Sequence, residues 1–378
     1  MSAREALIFE VNQGKTVTAA AQDHGVARSC AAKWVARYRE YGLEGLLERS
    51  RRPESSPNRI RQKTIDELTA LKRRYPDMGP AKLVAILELR HGGHVMAVST
   101  AGEILSRRGL VEKRRVSRSP GRIEHPAFEV AGAGDTMTSD FKGEFRVGNR
   151  SLCYPLTVAD PGSRSVLEVR ALPSTRMAAV RRSFERIFRE HGIPRQIVTD
   201  NGTPFCSAVS LGGLTQLSRW WIEMGVIPIR IQPGRPQQNG IHERMHRTLQ
   251  EWVNRRPRMS LEKQQRCFNE FRRWFNEVRP HESLQQKTPS TAYRSYRPWS
   301  ARRRSIEYDT NMDVRLVNAN GEIKWKGQLI FTSEVLIGAK IGLLRVDNDL
   351  LAIHFGGVRL GYVDEIASRV FNRKPETN

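Results

Sequence analysis

Hydrophobic positions change their spacing along the chain, and each change marks a new kind of element. Over residues 3–47 the apolar residues recur at helical steps and predict three helices. The first carries Ala6, Leu7, Phe9 and Val11, an alanine-rich helix spans Val17–His24, and a longer one spans Arg28–Tyr41 after Gly25-Val26-Ala27. Helix, glycine-bearing turn, helix is the helix-turn-helix pattern. In the last helix, steps of four put Cys30, Trp34 and Tyr38 inward and carry Arg28, Ser29, Lys33, Arg37 and Arg39 outward. A second helical unit runs from Thr64 to Leu110. Ile65, Leu68, Leu71 and Tyr75 share one face, Lys82–Leu89 follows Gly79-Pro80, and a third helix opens at Val98 with Ser99 or Thr100 as N-cap.

Near Phe128 the period falls to two. Residues 135–171 predict three antiparallel strands, with turns at Lys142-Gly143, Gly148-Asn149 and Asp160-Pro161-Gly162. Helices then alternate with short apolar strands: helix 176–191, strand 196–200, helix 214–224, strand 226–232, helix 238–254 and helix 261–278. Three strands followed by alternating helix and strand is the order of an RNase H-like α/β fold. From residue 314 five short strands, with Asn320-Gly321 as a hairpin signal, predict a small β-barrel. The expected organisation is multidomain: helix-turn-helix 1–50, basic linker 51–62, second helix-turn-helix-like unit 63–122, α/β core 128–292, arginine-rich linker 293–306 and β-barrel 307–372.

Charge narrows the function. In 378 residues, 63 Lys and Arg oppose 40 Asp and Glu, a net charge of +23. Such a field attracts polyanions, nucleic acid or an anionic membrane. No apolar run approaches the ~20 residues that span a bilayer, and the first residues lack the basic-then-apolar pattern of a signal peptide. Four cysteines without paired spacing fit a reducing cytoplasm. Nucleic acid is therefore the expected partner, with no membrane. Basic linkers add Arg51 and Arg52 to the candidate DNA contacts. Near the C-terminal strands, Arg302, Arg303 and Arg304 end a segment in which Tyr293, Tyr296 and Trp299 interleave with arginines. Tyr296 and Trp299 have two readings, stacking on bases or packing against the barrel.

Three carboxylates stand where phosphodiester chemistry needs them. Asp140 lies in the first predicted core strand, Asp200 ends a buried one before Asn201-Gly202, and Glu243 sits in the first turns of a helix. Two divalent ions held by converging carboxylates clamp the attacking and leaving oxygens of a phosphodiester. Singly, each acid is equally a turn, strand or helix-surface residue; in this order, on these elements, they point to one site. The stretches Asp140-Phe141-Lys142-Gly143, Ile197-Val198-Thr199-Asp200-Asn201-Gly202-Thr203-Pro204-Phe205, Gly234 to Leu249 and Phe275 to Leu284 with Thr288-Pro289 resemble the insertion-sequence transposases that share a catalytic core with retroviral integrases. The resemblance covers about residues 130–295.

That resemblance implies Asp140, Asp200 and Glu243 as the metal-binding triad of a DDE-type transposase, two Mg2+ ions with Mn2+ as substitute, and hydrolysis at element ends followed by attack of a 3′-hydroxyl on target DNA. It implies recognition of terminal inverted repeats and a dimer or higher homo-oligomer on DNA, in a bacterial cytoplasm. Lys142, Arg235, Asn239, Arg244 and Arg247 join the candidate DNA contacts. Arg247 stands four residues after Glu243, on the same face, to neutralise it or to reach a phosphate. The sequence departs from the family pattern in three places. Asp200 and Glu243 are 43 positions apart, an excess that fits an inserted Ser207–Gly213 loop; Gln250 stands where a basic residue is common; Met137 stands where tryptophan is. Asp160 reads as a turn residue paired with Arg164. His242 and His246 have a zinc-like spacing but no visible third ligand. Trp220 and Trp221 read as core, and Cys206 as structural. The rival reading is a DNA-binding regulator or decayed transposase remnant, and a third is a simple metal-dependent nuclease.

Overall fold

The computed structural model describes residues 2–48, 60–111, 130–232, 240–254, 258–300 and 305–374. Arg51, Arg52, Arg235, Asn239, Arg302, Arg303 and Arg304 lie outside them. The chain divides into two compact units, one up to Arg61 and one from Gln62 onward.

The first unit holds α1 (Ala3–Asn12), α2 (Val17–Asp23) and α3 (Arg28–Tyr41), closed by a 3-10 turn, Gly42–Leu46. Each start has a local cause. Ser2 and Glu5 form a reciprocal capping box at α1, and the Thr16 hydroxyl accepts from Ala19 at α2. The core is Leu7, Ile8, Ala20, Ala21, Ala31, Val35 and Leu46. In α3 the inward face is thus Ala31 and Val35, one position on from the expected Cys30 and Trp34. Cys30 is exposed, and Trp34 and Tyr38 only flank the core. Small residues face inward because α1 and α2 cross α3 closely there, which leaves the larger rings at the rim. Arg28, Ser29 and Lys33 are exposed as expected, and Arg37 is half-buried.

The second unit opens with α4 (Gln62–Arg74), α5 (Pro80–His91) and α6 (Val98–Arg107). Leu68, Leu71, Leu83, Leu87, Ala101 and Leu105 are buried. Pro80 at the first turn suits α5, and Gly92, in the left-handed region at φ 72°, ends it. The N-cap of α6 is Ala97, with no side-chain bond; Ser99 and Thr100 lie inside the first turn, so they do not cap.

The α/β core follows the predicted order. Its sheet comprises β1 (Thr136–Phe141), β2 (Phe145–Arg146), β3 (Leu152–Ala159), β4 (Val166–Leu172), β5 (Gln196–Thr199) and β6 (Ile227–Arg230). β3 pairs antiparallel with β1, β2 and β4, while β1–β5 and β5–β6 are parallel. Helices α7 (Met177–His191) and α8 (Gln216–Glu223) cover one part of it, with Phe184, Phe188, Trp220 and Trp221 in the core. Helices α9 (Gly240–Asn254) and α10 (Leu261–Glu277) cover another, through Met245, Leu249, Phe268, Phe271 and Phe275. β4 has a free edge, which α10 satisfies with side chains. Gln265 bonds both Ala171 N and Val169 O, Arg272 donates to Leu167 O, and Asn276 bonds both Val166 N and Val166 O, at 2.7–2.9 Å.

The segment after the short helix α11 (Pro289–Ala292) returns to the core. Ile193 N donates to Arg297 O at 2.7 Å, and the Tyr296 hydroxyl donates to Thr136 O at 3.0 Å. Tyr296 is buried in the α/β core, Trp299 packs against it, and Arg189 covers the Trp299 ring at 5.1 Å. Among the two readings of these aromatics, packing holds, but against the core and not the C-terminal strands.

The expected C-terminal barrel is an open structure instead. β7 (Met312–Leu316), β10 (Lys340–Asp347), β11 (Leu350–Phe355), β12 (Val358–Asp364) and β13 (Arg369–Phe371) form one antiparallel sheet, in the order β13–β12–β11–β10–β7. β8 (Glu322–Trp325) and β9 (Gln328–Phe331) pair only with each other. Ile323, Trp325 and Ile330 of this hairpin share one core with the sheet. The Asn320-Gly321 turn joins β7 to β8, which are not ladder partners. The hairpin turn is Lys326-Gly327, with both residues at positive φ (45° and 86°). The Ser207–Gly213 insertion docks this region onto the core. Leu211 and Leu214 enter the C-terminal core, Gly212 N donates to Asn372 Oδ1 at 2.7 Å, and Arg219 donates to Val335 O and Ile337 O.

Candidate active site

The parallel pairing of β1 with β5 sets the site. Ser139 is registered opposite Thr199, so Asp140 and Asp200 leave the same ends of adjacent strands side by side. The Asp200 Oδ1 accepts from Gly202 N at 3.1 Å, an Asx turn that orients the carboxylate, and Asn201 Nδ2 donates to Ile231 O, tying the loop to the strand after β6. A Cβ at Gly202 would stand 3.0 Å from Asp200 Oδ2, so the small residue keeps the carboxylate unobstructed. Phe205 and Trp221 stack beneath this loop, at 6.2 Å between rings, and Phe141 lies against Phe205.

Burial, reinforced by the negative charge of Asp200, pushes the Asp140 carboxyl up to about 7. Asp140 faces α9 through two histidines. His242 is fully buried, with Nε2 2.7 Å from the Thr138 hydroxyl and Nδ1 3.2 Å from that of Thr157. His246 Nε2 lies 2.7 Å from the same Thr157 hydroxyl, and its Nδ1 stands 4.0 Å from Asp140 Oδ2. Burial lowers His242 to about 4 and His246 to about 3, so both rings are neutral at pH 7. Among the described residues, Asp140, His242 and His246 form a group whose ligand atoms lie within 4.8 Å of one another. The histidine spacing was visible in sequence; the third member lies on a strand more than a hundred residues away. Thr138 and Thr157, which fix the two rings, carry no sequence signal of that role.

Glu243 lies on the exposed side of α9, with Arg247 Nη2 3.7 Å from its Oε1, the neutralising arrangement read from their spacing. Its side chain leaves the helix ~100° from that of His242. Lys142 donates to Gln250, the residue at the place where the family pattern has a base, and Arg244 is exposed. Asp160 is the turn residue expected, fully buried and accepting from Gly134 N, Gly162 N and the Ser163 hydroxyl; these partners, not Arg164, hold it. Cys206 is buried, and Arg230 donates to its sulfur.

A pair of carboxyl groups whose joint ionisation is opposed by burial and by each other suits a hard divalent cation. The histidine nitrogens of His242 are taken up by threonine hydroxyls, which disfavours a softer metal there.

Parts of this chain are similar to known proteins. The family described as integrase core domain matches residues 224–289, a homeodomain-like domain matches 30–105, and a helix-turn-helix domain matches 3–54. An uncharacterized 39.2 kDa protein of insertion element IS476 from Xanthomonas euvesicatoria is 27% identical over 192 residues, 50% of this chain and 53% of that protein. An uncharacterized 31.7 kDa protein of insertion element IS407 from Burkholderia multivorans is 28% identical over 236 residues, 62% of this chain and 80% of that protein. The chain thus spans about half the length of the first relative. Among solved structures, the HTLV-2 integrase catalytic core with magnesium is 15% identical, covers 44% of this chain and all of that one, at a TM-score of 0.35. A simian T-cell lymphotropic virus intasome bound to a PP2A regulatory subunit is 15% identical, covers 79% and 95%, at 0.39. The chain carries an integrase core domain and helix-turn-helix domains, and is homologous to proteins of insertion elements.

Proposed function

We propose that this protein is a transposase that binds the terminal inverted repeats of a mobile element and catalyses metal-dependent DNA cleavage and strand transfer. The observation that carries this reading is the pair Asp140 and Asp200, side by side at the ends of parallel strands, with the Asp140 proton held until about pH 7. Asp140, Asp200 and Glu243 are the residues assigned to hold two Mg2+ ions. Bound magnesium supplies charge neutralisation at the phosphodiester and activation of water or a 3′-hydroxyl.

The protein's own groups do the positioning. Gly202 N and the Asn201 tether orient the Asp200 carboxylate, and Thr157 anchors α9 beside β1. Glu243 joins the pair when its contact with Arg247 opens, which releases Arg247 toward a phosphate. Arg28, Ser29, Lys33 and Arg37 on α3 read the element end, with phosphate contacts setting register and base edges setting choice. Arg51, Arg52, Arg235, Asn239, Arg302, Arg303 and Arg304 belong to the same reading as DNA contacts. Two element ends are joined in one event, so at least a dimer assembles on DNA, in the cytoplasm. No helix of the described residues is long and apolar enough to cross a membrane.

The test is incubation of the purified protein with its own element's end duplex, a target plasmid and Mg2+, beside Asp200→Asn. Joined products that disappear in the variant support the reading. Cleavage without joining turns it into a nuclease, and end-specific binding without metal-dependent chemistry leaves a regulator.

A further inference from the structure

Beyond the Asp140–Asp200 pair, on the side of Arg247, the second helical unit meets the end of the catalytic core across a cavity of about 680 Å³. Lys82, from the first turn of α5, lines one wall; Arg244 of α9 and Arg279, just past α10, line the other. Six of its lining residues are cationic and four acidic, so positive charge dominates. Arg279 is fixed in place, with its guanidinium 5.3 Å over the Phe275 ring and Nη1 3.4 Å from His281 Nε2. Arg164, in the β3–β4 turn at φ 63°, acts on His281 and is itself acted on by Arg244.

Lys82, Arg164 and Arg279 are half-buried, and Arg244 is exposed. Burial, and then Arg279, lower the Lys82 ammonium to about 8. Burial and then Arg279, Lys82 and Arg164 press His281 down to about 3. Among the described residues Lys82, Arg164 and Arg244 have no ion pair; Glu282 reaches Lys82, and Glu251 and Asp77 reach Arg279, only at longer range. Grouped cations pay desolvation and mutual repulsion, and the protein retains that cost unless an anion is the missing partner. The motif Asn276 to Leu284, which the metal chemistry leaves unused, supplies Arg279 of this group and the His281 beside it.

We propose that Lys82, Arg164, Arg244 and Arg279 form a phosphate clamp that grips the DNA backbone where α5 meets the end of α10. The proposal rests on the transposase reading for its ligand. A clamp spanning both elements fixes the second helical unit against the catalytic core when the duplex is engaged. Backbone contacts carry no base information, so the grip is independent of sequence.

The experiment is fluorescence anisotropy of full-length protein on labelled duplexes, one carrying the element end and one of unrelated sequence, across a chloride series. The variants are Lys82→Gln, Arg164→Gln and Arg279→Gln. Each is expected to weaken binding to both duplexes and to reduce the slope of log affinity against log salt by about one. Thermal melting without DNA separates this from a structural role: Lys82→Gln is expected to melt at or above wild type, because a repelled charge is gone. Unchanged salt slopes in Lys82→Gln and Arg164→Gln, with wild-type binding intact, overturn the clamp and leave the transposase reading standing. Failure of the wild type to bind either duplex overturns both.

Discussion

At the scale of residues, the chemistry of Asp140 is set by two neighbours and can be read through stability. Its folded value of about 7 lies above the unfolded value near 4, so the folded chain holds that proton more tightly. The stabilisation is complete below pH 4 and is lost as pH rises through 7. Asp140→Asn is therefore expected to stabilise the fold in EDTA at pH 8, raising the melting temperature, by about 4 kcal/mol at most, with little difference at pH 4. Calorimetry at the two pH values checks it, and an equal shift at both refutes the account. The acid itself was legible in sequence, as was Asp200. The neutral, threonine-bonded state of His242 and His246 was not, because it depends on Thr138 and Thr157 from strands brought beside α9 only on folding. Glu243 was legible as a candidate, but its exposed pairing with Arg247 depends on how α9 is rotated.

At the scale of elements, periodicity located most helices and core strands to within a residue or two, because each buries one face. It did not foresee how edges are satisfied. Asn276 bonds both polar groups of Val166 on the outer edge of β4. Asn276→Leu is expected to cost roughly 2 kcal/mol, since two buried backbone groups lose their partner; chemical denaturation measures it, and a neutral result refutes the edge role. The face of α3 was read one residue off, because large aromatics look like core in sequence while the close helix crossing admits only Ala31 and Val35. β12 and β13 went unread for a related reason. Gly361 within β12 and the three-residue length of β13 break the alternation that marks a strand.

At the scale of the whole molecule, the Ser207–Gly213 insertion is a joint. Gly212 sits at φ 59°, and a Cβ there would come within 2.7 Å of Leu360 O. Gly212→Ala is expected to weaken docking of the C-terminal sheet by about 2 kcal/mol or more, through strain and the clash combined. Limited proteolysis would then release the region beyond residue 300 faster than in wild type; an unchanged digestion pattern would count against the joint. In sequence, this segment showed only as the wide, 43-position spacing between Asp200 and Glu243 against the resembled family, without any sign of what it touches.

Local order and composition determined much of this protein: the helical units, the strand–helix alternation of the core, the polyanion partner implied by a charge of +23, and the carboxylates themselves. Those follow from short-range periodicity, capping and charge, which a linear chain displays directly. Tertiary structure decided the rest. It decided that β1 and β5 run parallel and bring Asp140 beside Asp200, that α9 turns its histidines inward, that the C-terminal strands stay open, and that Lys82 and Arg279, nearly two hundred residues apart, share one cavity. Each of these depends on contacts between segments distant in sequence, whose pairing is selected by burial and hydrogen bonding in the folded state and has no signature in either segment alone.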